Sequence, residues 1–359
     1  METQDDNLLS NVFDTITTEA KRNENRDSFY DKAEKYAQEY VKKVRQELDD
    51  HAKQHYGYIF GEHVHISLGQ DSDEDVNTKI NNNIDSITML EIHNTNQNET
   101  ITVVETLWEK INSLSNLGSL KFFGVSMTGD QLRSLHNLKL LQEVSISNAS
   151  RLDNLFKYFN NFPKLDSLSI DNSELVSPSW QNLQRNTKLR NISCDNCSLT
   201  DSDIVNFPSL QSLEYLSLRN NDLTCTNFGF MKNLSNLTRF HIWNNPRFGI
   251  DGLKIITTSS ENILMDIDIQ GCPLIDDSCM KYFLQMRKIQ VICFYNTNIT
   301  ESGLKQLRTI KTLRQLFLPD QISIEFVKEL QKEYMPKCHF NWRDSKKELY
   351  ALELSEDYM

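Results

Sequence analysis

What most constrains this chain is a period. Apolar residues at offsets 0, 3 and 5 restart at Leu117, Leu141, Leu165, Leu189, Leu213 and Leu237, five consecutive intervals of 24 residues. Further starts stand at Ile87, Leu264, Ile289 and Leu313, separated by slightly longer or equal steps. Within a regular unit the apolar positions continue at offsets 10, 15, 18 and 21, as in Leu213, Leu216, Leu218, Leu223, Phe228, Met231 and Leu234. The first three have the near-two period of a strand and the last three the spacing of a helical or 3₁₀ turn, so each unit reads as strand, turn, helix and return. One unit buries too few side chains to offset the entropy of ordering 24 residues. Stacking must therefore stabilise the array, with neighbouring strands pairing and covering each other's apolar layer.

The opening LEYLSLRNN, with Leu213, Leu216, Leu218 and Asn221, resembles the leucine-rich repeat. The resemblance covers about residues 85–342 and implies an α/β solenoid of about ten repeats, each roughly 24 residues long. A curved parallel sheet lines the concave face of such a fold, here about 50 Å long at ~4.8 Å per strand. LMDIDIQGCPLIDDSCMKYF and IQVICFYNTNITESGLKQL resemble the subclass with Cys or Thr at the turn followed by an Ile-Thr-Asp-like triplet. That subclass occurs in F-box leucine-rich-repeat proteins and in many bacterial repeat proteins.

Three regions follow: a helical N-terminal cap over residues 1–57, the solenoid over 58–342, and a C-terminal cap with an acidic tail over 343–359. A short amphipathic helix is expected over 7–21 and a long one from Ser28 to Tyr56. Residues 58–68 alternate as a strand that starts the sheet. DSDEDVNTKINNN reads as a polar connection; its Asp71, Asp73 and Asp75 lack the turn glycine and final glutamate of a calcium loop. At the far end Cys338 and Phe340 suggest a last strand, and 344–355 a short capping helix. The N-terminal segments and VHISLGQ are similar to the F-box and first strand of plant hormone-receptor F-box proteins. That resemblance implies that Leu8, Leu9, Val12 and Phe13 face a Skp-type adaptor of an SCF-type ubiquitin ligase, with the repeats holding the substrate.

The net charge of -12 argues against nucleic-acid and anionic-membrane binding, both of which want a basic face. No apolar run is long enough to cross a membrane, and no secretory leader is evident. The 7 cysteines fit reduced thiols in the cytoplasm, or in the nucleus. Cys194 and Cys197 form a C-x-x-C, yet both fall at inward positions of a repeat and read as core. His51, His55, His63 and His65 gather half of the chain's 8 histidines; with no cysteine nearby, no metal or other cofactor is expected. Phosphate-binding loops, metalloprotease motifs and nucleophile elbows are absent, so the chain reads as a non-enzyme.

Function then falls to the concave face, at the positions that alternate with the buried ones. Asn148, Asn172, Asn196, Asn220, Asn244 and Asn296 share offset 7 and read as turn residues. Beside them stand Asp171 and Asp195, then Tyr215, Arg219, Arg239, His241, Trp243, Tyr295 and Phe317. Aromatic residues and arginines displayed on a rigid sheet have the composition of a protein-binding hot spot.

Overall fold

A computed structural model of the chain describes residues 62–81, 84–95, 103, 105–260, 263–343 and 349–352. The region over 1–57, with Leu8, Leu9, Val12, Phe13, His51 and His55, and the tail beyond 352 lie outside those residues.

Every unit opens on a strand. They are β1 (Glu62–Leu68), β2 (Ile87–Asn94), β3 (Ser119–Phe123), β4 (Glu143–Ser147), β5 (Ser167–Asp171), β6 (Asn191–Asp195), β7 (Tyr215–Ser217), β8 (Arg239–His241), β9 (Asp266–Asp268), β10 (Val291–Cys293), β11 (Gln315–Phe317), β12 (His339–Arg343) and β13 (Leu349–Leu352). They form one 13-stranded sheet in chain order. Neighbours run parallel up to β12. The expected register holds: Leu213, Leu216 and Leu218 are fully buried, as are Leu189, Ile192 and Cys194 one repeat earlier. Strand and return sandwich a continuous core between them, in which the rings of Phe156, Trp180, Phe207 and Phe230 touch in succession at 4.8–5.1 Å.

Two consecutive positions turn the chain out of each strand. At offset 7 the backbone is left-handed at Gly124, Asn148, Asn172, Asn196, Asn220, Asn244, Gly271 and Asn296, with φ between 51 and 68°. Only Gly and Asn adopt this conformation readily, which explains the recurring asparagine. Some of these side chains also link up, Asn196 Nδ2 donating to Asn172 Oδ1 at 3.0 Å and Asn244 Nδ2 to Asn220 Oδ1 at 2.9 Å. At offset 8 the side chain turns inward and satisfies buried backbone. Asn221 Oδ1 accepts from the amides of Cys197 and Leu199, both at 3.0 Å, while its Nδ2 donates to the carbonyls of Cys194, Leu218 and Arg219. Cys197 holds the same place one repeat earlier, its thiol reaching the Ile170 carbonyl at 3.1 Å. Burial raises both the Cys194 and the Cys197 thiol, so neither is a reactive thiolate.

The returns of several 24-residue units are 3₁₀ helices, such as Trp180–Arg185 and Phe228–Asn233, while those from Leu189 and Ile289 include short α-helices, Asp201–Ile204 and Glu301–Gln306. The longer unit from Leu237 uses its extra residues for an α-helix, Ile250–Ser260. Threonine or serine caps several returns, and an acid at the start of one return bonds a threonine or serine of the next unit: Asp201 to Thr224, Asp277 to Thr300 and Glu301 to Ser323.

Two sequence expectations are corrected. Residues 73–81 form a helix rather than a polar connection. Ser72 and Asp75 make a reciprocal capping box at its start, and Val76 and Ile80, one turn apart, bury against the sheet. In place of a helix over 344–355, Leu349–Leu352 is a strand antiparallel to β12, with Asn341 opposite Ala351. It covers the edge that β12 would otherwise present. Among the described residues no helix is long and apolar enough to cross a membrane. Strand, inward ladder and return repeat from β2 to β12 as in a leucine-rich-repeat solenoid, and that is the fold of this chain.

Candidate functional site

Strand register sets the open face of the sheet, because side chains that alternate with the buried ones line up from strand to strand. One row runs Ser145, Ser169, Ser193, Ser217, His241, Asp268, Cys293 and Phe317. A second runs Asn191, Tyr215, Arg239 and Asp266. The four serines form a low polar floor, and the larger side chains rise at its C-terminal end.

There Tyr215, Arg239 and His241 on β7 and β8 gather with Arg219 and Trp243, two residues beyond those strands, into one packed group. The Arg239 guanidinium lies over the Tyr215 ring at 5.0 Å, and that of Arg219 over the Trp243 ring at 5.3 Å. The Tyr215 hydroxyl is 3.2 Å from His241 Nδ1, with the two rings edge to face at 5.1 Å. His241 Nε2 in turn stands 3.6 Å from the Asp266 carboxylate. Burial pushes the Tyr215 hydroxyl above its ordinary value, so it stays a neutral donor.

The two arginines differ. Arg219 is paired with Asp195, its Nε donating at 2.6 Å, and that carboxylate also accepts from the Ser217 hydroxyl at 2.7 Å and from the Arg219 amide at 2.8 Å. Arg239 is exposed and has no carboxylate partner among the described residues. Its fork of donors is held on an aromatic face and points to solvent.

Two of the expected residues are not on the surface. Asp195 is buried, because orienting Arg219 and bonding Ser193 and Ser217 use its oxygens. Tyr295 is buried too, its ring edge-on to Phe317 at 5.6 Å. Phe317 is half-buried and stands three strands beyond β8, so it belongs to a separate aromatic pair and not to the packed group. Asp171 borders the group: Ser169 donates to it at 2.7 Å, while burial first, and the nearby Asp195 charge, raise its carboxyl above the ordinary value.

The serine floor escaped the sequence reading, although serine at offset 4 in four successive units was its signal. So did Glu91 and His93. His63 and His65 of β1 face them directly, since His65 pairs with Glu91 in the register.

Neither protein-family models nor curated proteins match this chain. Among solved structures, an internalin of Listeria monocytogenes is similar over 72% of this chain and 80% of its own, at 15% identity and a TM-score of 0.43.

Proposed function

We propose that this protein is a non-enzymatic interaction scaffold that takes a protein partner on the open face of its sheet. The packed group Tyr215, Arg219, Arg239, His241 and Trp243 is the anchor, with Asp171 at its margin and the serine row as the adjoining floor. The observation that carries this reading is Arg239, an exposed guanidinium already stacked on Tyr215 and without a carboxylate partner among the described residues. Pre-organised arginine and tryptophan at the centre of a rigid surface are what hot spots are made of, since little side-chain entropy is lost on binding. The free fork suits a carboxylate on the partner, bound bidentately.

Replacing Trp243 by Ala in the full chain tests this. Capture of the partner should fall at least tenfold, with the unfolding transition nearly unchanged because Trp243 is only partly buried. Equal capture by the variant would overturn the reading.

The N-terminal pattern supports a second role, adaptor docking by an F-box-like segment. Leu8, Leu9, Val12 and Phe13 would contact a Skp-type protein, making the chain a substrate adaptor of an SCF-type ubiquitin ligase. Alanine at all four in the full chain should abolish recovery of such an adaptor while leaving the open-face partner bound; absence of the adaptor from the unaltered chain as well would reject this role. The 7 cysteines, all buried and unbridged, support residence in a reducing compartment, cytoplasmic or nuclear.

A further inference from the structure

We infer that the first two strands carry a binding site for a divalent transition-metal ion, with zinc as its type, formed by His65, Glu91 and His93. This site is separate from the proposed partner surface, about 29 Å along the sheet from β8 at ~4.8 Å per strand.

The geometry comes from the strand pairing. His65 on β1 stands opposite Glu91 on β2, and His93 follows two residues on, so all three project from the same face. One ligand atom from each lies within 4.8 Å of the other two. A single carboxylate oxygen, Glu91 Oε2, is the focus: His93 Nε2 is 3.4 Å from it, His63 Nε2 3.5 Å and His65 Nδ1 4.0 Å. Ligand atoms about 2.1 Å from a tetrahedral zinc stand roughly 3.4 Å apart, so small side-chain adjustments bring the group onto one ion.

Features around the ligands favour that use. His65 Nε2 lies 3.1 Å from the Ser67 hydroxyl, which leaves Nδ1 directed at the carboxylate. A metal-bound imidazole is commonly oriented in this way through its other nitrogen. The His93 ring is packed between Phe123, at 4.2 Å, and His65, at 4.1 Å. Two imidazoles and a carboxylate are a donor set suited to zinc, and three protein ligands leave a fourth position open. Since β1 is the outermost strand of the described sheet, a shared ion would tie it to β2.

The test uses the full chain, stripped with chelator and dialysed against micromolar zinc, with bound metal measured by mass spectrometry and affinity by calorimetry. One zinc per chain is expected. His65→Ala and His93→Ala should each weaken binding by more than the roughly 100-fold that an outer-shell change can cost. Glu91→Gln should weaken it at least tenfold, and His136→Ala, an exposed histidine elsewhere, should leave it unchanged. A cobalt-substituted chain should show visible absorption that the His65→Ala/His93→Ala variant lacks. Metal-free circular dichroism of each variant matching the unaltered chain establishes that folding is intact. Absence of stoichiometric zinc, or zinc retained by the double variant, would overturn the assignment.

Discussion

Replacing Asn221 by Ala should be among the most costly single changes outside the apolar core. The side chain is buried and satisfies backbone from two repeats at once. Two of the three carbonyls keep a donor, Arg219 O accepting from the Asn196 amide at 2.8 Å and Leu218 O from Asn245 Nδ2 at 3.0 Å, while the Cys194 carbonyl loses the Asn221 bond. The amides of Cys197 and Leu199 both lose the oxygen they donate to. Leaving a buried N–H without a partner costs about 1–3 kcal/mol, so the pair should cost roughly 2–6 kcal/mol. Asn245, the next residue in the ladder, accepts from one amide, that of Leu223, and Asn245→Ala should cost about half as much. Urea unfolding reads both as a fall in midpoint at constant slope. A loss below about 1 kcal/mol for Asn221→Ala, or one smaller than that of Asn245→Ala, would refute the argument that this ladder ties repeat to repeat.

Other predictions follow from the same geometry. Asn220→Gly should be nearly neutral, because Gly accepts the left-handed backbone there, whereas Asn220→Val should cost about 1–2 kcal/mol, measured by the same unfolding assay. Burial raises the Asp268 carboxyl above its ordinary value of 3.8. The folded state thus holds that proton more tightly than the unfolded chain, and stability is lost as pH rises from 3.8 through the raised folded value. Asp268→Asn should therefore be more stable than the unaltered chain at pH 7, as measured by thermal unfolding, and the gap should close below about pH 4.

Much of this structure is legible in the sequence because burial is periodic. Leu213, Leu216 and Leu218 set the register, and the register then placed Tyr215, Arg219, Arg239, His241 and Trp243 side by side. What was not legible depends on partners distant in sequence. Offset 8 is filled by Asn221, Cys197, Ser173 or Thr297, which share a task of bonding backbone but no chemistry a pattern would group together. The helix Asp73–Asn81 hides among acids, although Ser72 and Asp75 carry its capping signal. Burial of Tyr295 depends on Phe317 one strand over, and the focus on Glu91 depends on how β1 pairs with β2. Histidines counted along the chain drew attention to His51 and His55, whereas the sheet brings His65 to His93.

The central claim is that the open face at β7 and β8 is where the partner binds. Its most direct measurement is quantitative affinity purification of the full chain beside two variants, Arg239→Glu/Trp243→Ala on that face and Arg287→Ala/Lys288→Ala, an exposed pair away from it. Proteins recovered with the unaltered chain should also be recovered with Arg287→Ala/Lys288→Ala and be lost from Arg239→Glu/Trp243→Ala. Recovery of the same proteins, in the same amounts, with all three chains would contradict it.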